Sequence, residues 1–150
     1  MKSLTPDLGS EVVSIARRWC GTPYLHQASN QGVGTDCLGL IRGVWRELYG
    51  TEPEVAPPYT PDWGEYDGSE LLLAGAMRHL SRDDGEEDRH GQVLLFRMRS
   101  GAVAKHLGIV SVTGAVPAFI HAYDRHGVVE SPLSMPWRQR IAARFRFPER

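Results

Sequence analysis

Cysteine is scarce in this chain: Cys20 and Cys37 are the only two in 150 residues. Two are too few for a disulfide framework, and their spacing matches no zinc-finger or CxxC pattern, so a structural zinc site is set aside. Apolar runs are also short. The first twenty residues are polar and amphipathic and lack the apolar stretch of about 7–15 residues of a secretory signal. Nowhere is there a run near 18 residues for a membrane span. The chain is therefore expected to be made in the cytoplasm, without membrane insertion. An excess of one charge sign is missing too. With 17 Lys and Arg against 18 Asp and Glu, the formal charge is -1, which excludes a protein that coats nucleic acid through net basicity. Internal repeats and low-complexity tracts are absent, and at 41% hydrophobic residues a packed core is affordable to residues 1–150 as one domain.

Periodicity changes along the chain. Thr5 and Pro6 read as an N-cap and first helical residue, followed by Leu8, Val12, Ile15, Ala16 and Trp19 at helical spacing until Gly21-Thr22-Pro23. After a loop with Gly32 and Gly34, Asp36 caps a second helix whose stripe is Cys37, Leu40, Ile41, Val44, Trp45 and Leu48, closed by Gly50. Residues 51–68 hold Pro53, Pro57, Pro58, Pro61, Gly64 and Gly68 and predict a long surface excursion. Ser69 opens a third helical pattern, Leu72 to Leu80, and Arg82 to Arg89 reads as a solvated charged turn. From Gly91 the period is that of strands: Val93 to Met98, Leu107 to Val112, Ala118 to Ala122, Val128 to Val129 and Ile141 to Phe147. Arg144 and Arg146 alternate there with Phe145 and Phe147, as on a strand with one solvated face. Helices first and strands afterwards predict an α+β fold with an antiparallel sheet.

Cys37 stands in the first turn of the second helix, where unpaired N–H groups and the positive end of the helix dipole favour a thiolate. A cysteine nucleophile also needs a base and a group to orient that base. His106 and His121 supply them if Thr113-Gly114 centres a hairpin, for then the two face each other on one side of the sheet; Pro117 favours a longer connection that makes them diagonal. Each alone reads as an ordinary strand residue, but with Cys37 they form a set whose thiol is expected to ionise below ambient pH. Cys20, beside Trp19, reads as a packing residue; Trp19 and Trp45 lie on helix stripes, and Trp63 sits in the Pro-rich excursion.

Five segments occur in order: Gly21-Thr22-Pro23-Tyr24, Asp36-Cys37-Leu38-Gly39-Leu40, Val93-Leu94-Leu95-Phe96, Lys105-His106-Leu107-Gly108-Ile109-Val110 and Phe119-Ile120-His121-Ala122. Through them the chain, from about Val12 to Glu130, resembles the NlpC-type cell-wall cysteine peptidases, and most of all their phage-encoded branch. The resemblance implies a papain-like α+β fold with Cys37 as nucleophile, His106 as general base and His121 as the residue that orients it. It implies that Tyr24 and Asp36 contribute to substrate binding and that no metal or organic cofactor is needed. The implied reaction is hydrolysis of amide bonds in peptidoglycan stem peptides, commonly between D-glutamate and a diamino acid. The implied setting is a phage or phage-like tail, with tail-tip or baseplate proteins as partners and no nucleic acid. Two other readings are a tail-tip structural subunit that has lost turnover and a thiol-dependent amidase or acyltransferase, which an apolar groove near Cys37 would favour. Leu38 stands where the resemblance calls for serine, and Gly91-Gln92-Val93 where it calls for Gly-Asp-Leu or Gly-Asp-Val.

Overall fold

A computed structural model describes residues 7–54, 59, 61, 63 and 70–150. Helix α1 (Leu8–Arg18) is capped by Asp7, whose side chain accepts the Ser10 N–H. The expected cap Thr5 and first residue Pro6 lie outside the described residues, as do Ser69 and Pro57, Pro58, Gly64 and Gly68. One face of α1 buries Val12, Ile15, Ala16 and, just past its end, Trp19. Each large apolar side chain so buried contributes about 1.5–3 kcal/mol. The loop expected around Gly32 folds into a small hairpin, β1 (Ser29–Asn30) and β2 (Gly34–Thr35). Helix α2 (Cys37–Tyr49) follows. Asp36 caps it by accepting the Gly39 N–H at 2.7 Å, an arrangement worth about 1 kcal/mol. Gly39 is required here: a Cβ would stand 1.9 Å from the Ala28 carbonyl oxygen and 2.4 Å from the Thr35 hydroxyl.

After α3 (Leu71–His79), the strands β3 (Ser81–Arg82), β4 (Val93–Arg97), β5 (Ala104–Val112), β6 (Ala118–Tyr123) and β7 (Gly127–Pro132) lead through a single turn α4 (Met135–Arg138) to β8 (Ile141–Arg146). Among the described residues, six strands form one antiparallel sheet in the order β3-β8-β4-β5-β6-β7. The α+β class with an antiparallel sheet is therefore the observed one. Its two faces carry different layers, as the two-residue period of strands demands. Val93, Leu95, Leu107, Ile109, Ile120 and Ala122 join the α1 and α2 stripes in the larger core; Leu94, Phe96, Val110 and Phe119 pack with Leu133 and Trp137 in the smaller one. Among the described residues, no helix is long and apolar enough to cross a membrane.

Three charged or polar expectations need correcting. Asp88, in the supposedly solvated turn, binds Arg138 and Arg144, and Arg144 is buried at 8% exposure because Asp88 and the Gln92 carboxamide oxygen both receive its guanidinium. The final strand thus carries one buried arginine that its alternation with phenylalanine does not distinguish from the exposed Arg146. Cys20 lies exposed just beyond α1 instead of packing.

Candidate active site

The β5–β6 register pairs Ile109 with Ile120 and Val110 with Phe119, then shifts before Val112 and Ala118. This is a two-residue displacement from the pairing centred on Thr113-Gly114, so the histidines are diagonal, the geometry that Pro117 favours. A diagonal pair on one face remains within reach of long side chains. His106 Nε2 lies 2.8 Å from His121 Nδ1, and His121 Nε2 lies 3.0 Å from the Ser131 hydroxyl on β7. Both rings are buried, at 7% and 1% exposure, among Phe119, Tyr123 and Trp137.

This chain of contacts links tautomer to function. If His121 donates its Nε2–H to Ser131, its Nδ1 accepts from His106 Nε2–H, and His106 Nδ1 keeps the lone pair a base requires. Were Ser131 the donor, the order would reverse and His106 Nδ1 would carry a hydrogen. Ser131 was not singled out from the sequence. The signal that finds it is the β6–β7 register, which sets Val129 opposite His121 and hence Ser131 diagonal to it on the same face.

Cys37 approaches β5 from the helix side. Its thiol donates to the Lys105 carbonyl at 3.8 Å, and the N–H groups of Leu107, Leu38 and Cys37 itself are directed at the sulfur. The nucleophile candidate thus meets backbone on both sides of His106. No hydrogen bond joins its sulfur to either ring. Leu107, next to His106, packs with Cys37, whereas the His106 ring turns to Phe96 and Trp137.

The expected low thiol pKa is not found. Burial raises the Cys37 thiol to about 12, with the nearby Asp36 charge adding to it, and this outweighs the three N–H groups that pull the other way. Burial also lowers His106 to about 3 and His121 to about 4. At neutral pH the resting site holds a thiol and two uncharged imidazoles.

Asp36 is 2% exposed, and its carboxylate is occupied by the fold: beside the Gly39 N–H it accepts the Gln27 N–H at 2.7 Å and the Tyr59 hydroxyl. His26 Nδ1 stands 3.8 Å away. Tyr24 is half-buried, bridged to Thr35, with its phenol pushed well above the usual range by burial and by the Cys37 and Asp36 charges nearby. Both therefore flank the Cys37 thiol. Tyr59 and His26 join them, brought in by the excursion after α2 and by the loop before β1, connections whose path sequence spacing does not reveal. Among the described residues no group of His, Cys, Asp and Glu is arranged to hold a metal ion.

Comparison with known proteins places the fold in a class. No family model matches the chain. The chain is 27% identical over 135 residues to the murein DD-endopeptidase MepS/murein LD-carboxypeptidase of Escherichia coli K12, a match that covers 89% of this chain and spans 60% of that protein. Among solved structures, an NlpC/P60 family protein of Bacillus cereus superposes with a TM-score of 0.63 at 18% identity, covering 97% of this chain and 42% of the other. The NlpC/p60 domain of the peptidoglycan hydrolase SagA gives 0.52 at 21%, covering 83% and 89%. NlpC1 of Trichomonas vaginalis gives 0.58 at 18%, covering 97% and 46%. The fold is that of NlpC/P60 domains.

Proposed function

We propose that the chain is a cysteine peptidase that hydrolyses amide bonds of peptidoglycan stem peptides, with Cys37 as nucleophile, His106 as general base and His121 as its orienting partner. The single observation that carries this reading is the conjunction of a helix-terminal thiol lying on β5 with the hydrogen-bonded His106–His121–Ser131 chain on that strand and its neighbours. Similarity to MepS supports the substrate class. As the Cys37 sulfur attacks the scissile carbonyl, its proton passes to His106 Nδ1 and then to the leaving amine; water, deprotonated by the same imidazole, releases the acyl group. In the resting site the thiol is bonded to the Lys105 carbonyl, so this mechanism requires the Cys37 sulfur and the His106 imidazole to be brought together in the substrate complex, in which catalytic hydrogen bonds commonly tighten. The Cys37 N–H at the start of α2 is suited to the developing oxyanion. Tyr24 and Asp36 border the peptide, and the bond cut is that between D-glutamate and the diamino acid. The resemblance of the five segments supports action at the cell wall as part of a phage or phage-like tail, in contact with tail-tip or baseplate proteins.

Digestion of purified murein sacculi, with the released peptides identified by mass spectrometry, tests the reading. Wild type releases stem-peptide fragments, and Cys37→Ala, with an unchanged circular dichroism spectrum, releases none. Equal release by the two proteins would refute the nucleophile.

A further inference from the structure

Strands β7 and β8 are separated in the sheet by β6, β5 and β4, so the segment that joins them must cross one face. Helices α1 and α2 cover the face of Val93, Leu95 and Leu107, and the crossing takes the other, where Leu133 and Trp137 pack with Leu94, Phe96, Val110 and Phe119. His106 precedes Leu107, and His121 lies between Ile120 and Ala122, so strand alternation turns both imidazoles to this second face, beneath the crossing. The single turn α4 sets the Trp137 indole over them. Its centroid lies 5.5 Å from the His106 ring, 5.1 Å from His121, 5.3 Å from Phe96 and 5.2 Å from Phe119. The imidazoles are more deeply buried than their cover: Trp137 is half-buried, and Met135 and Pro136 before it are exposed.

A four-residue turn has little stability of its own, so such a cover needs anchors. Before the turn, the Leu133 N–H donates to the Pro117 carbonyl at 2.9 Å; after it, the Arg97 N–H on β4 donates to the Arg140 carbonyl at 2.8 Å. Between them Arg138, next to the indole in sequence, donates both terminal guanidinium nitrogens to the two oxygens of Asp88, at 3.2 and 2.8 Å. A bidentate pair fixes orientation as well as distance. Beneath this cover a hydrogen bond between two uncharged rings gains strength, because water is not at hand to replace either partner. Phe96, at 5.7 Å, borders the His106 ring as Trp137 does, so a turn of that ring away from His121 must displace an aromatic neighbour.

We propose that Trp137 is a positioning residue for the reaction: tethered through Arg138 to Asp88, its indole keeps water from the His106–His121 hydrogen bond and holds the His106 ring in the orientation that bond sets. The positioning role rests on His106 being the general base; the shielding of the bond does not.

The test joins a structural readout to a kinetic one. In isotope-labelled wild type at neutral pH, NMR should resolve the ring N–H shared by His106 and His121, because its exchange with water is slow, and Trp137→Ala should lose that signal to exchange. On soluble stem peptides prepared from murein, kcat of Trp137→Ala should fall at least about tenfold with KM little changed, since the base is displaced and the peptide's own contacts are kept. Trp137→Phe keeps a ring over the pair and should retain more of both signal and rate. Arg138→Gln leaves the indole in place and loosens only its tether; it should weaken the signal, lower kcat about threefold, and add no further loss in the Trp137→Ala background. These two milder variants carry the comparison if Trp137→Ala does not fold. An N–H signal in a folded Trp137→Ala equal to that of wild type overturns the proposal, as does its absence from wild type. Additive losses in the double variant overturn the tether. A lost signal with kcat unchanged, while Cys37→Ala is inactive, overturns the positioning role and leaves the peptidase reading standing. Turnover by Cys37→Ala at the wild-type rate overturns the peptidase reading instead, and the N–H signals then decide the shielding alone.

Discussion

The two buried histidines should make the protein labile in mild acid, and the size of the effect follows from the site. His106 and His121 have been carried from an ordinary 6.5 to about 3 and about 4, by burial first and then by a neighbouring histidine charge. As the pH falls through 6.5 the unfolded chain takes up a proton on each, while the folded chain takes up neither until about pH 4. The unfolded state then holds more protons, so stability declines with pH, by about 1.4 kcal/mol per unit for each histidine. From pH 7.5 to 5 the pair removes about 4 kcal/mol, set against a typical total of about 5–15 kcal/mol. Above about pH 7.5 their contribution is complete and flat. Asp88 and Glu130, lowered chiefly by hydrogen bonds from Arg138 and Arg17, lose their share as the pH falls below their unfolded values of about 4 to 4.5, mostly outside this window. Urea unfolding followed by tryptophan fluorescence at pH 7.5 and 5.0, at constant ionic strength, measures the difference. The double variant His106→Gln, His121→Gln keeps hydrogen-bonding groups without titrating and should lose about 4 kcal/mol less than wild type over that interval. An equal loss in both proteins would refute the argument.

Ser131→Ala should lower kcat about tenfold, the worth of one hydrogen bond that fixes the tautomer, and leave KM unchanged; Ser131→Thr should restore the rate. A wild-type rate in Ser131→Ala at every pH would show the hydroxyl idle. His121→Ala should lose more than tenfold in turnover yet keep some activity, with His121→Gln and His121→Asn retaining more, and three rates equal to wild type would remove the orienting role. Iodoacetamide at pH 7 should modify the exposed Cys20 before the buried, protonated Cys37, the reverse of the order that helix position alone suggests, and mass mapping of partly labelled protein that found Cys37 first would contradict the burial argument.

Local signals made much of the fold legible. Asp36 before an apolar stripe and Gly50 after it bounded α2 because caps and glycine stops act within a few residues, and strand periods located β4 to β8 within a residue or a few at each end. What escaped depends on contacts distant in sequence. The β1–β2 hairpin is two residues per strand and carries no period, and Arg144 is buried because of Asp88, fifty-six positions earlier. The histidine pair was legible because both partners lie on adjacent strands with one turn between them. Ser131 needed the next strand's register, and Tyr59 needed the path of a proline-rich excursion.

Protonation was the least legible property of the site, for a reason that concerns which quantity is local. A helix terminus can be read from residues 36–40, and the three N–H groups directed at the Cys37 sulfur are the direct consequence of it and of β5. Burial is a sum over the whole fold. It comes here from α1, the sheet and Leu107 together, leaving Cys37 at 5% exposure, and in that setting forming an isolated charge costs more than the N–H groups return. The same sum acts on the imidazoles with opposite sign, lowering them as it raises the thiol, so the ion pair is disfavoured from both sides. A site built this way does not store a thiolate. On the proposed mechanism its proton must move as the sulfur attacks, which makes the free lone pair on His106 Nδ1, and therefore the tautomer linked through His121 and Ser131, the condition for turnover rather than an adjustment to it.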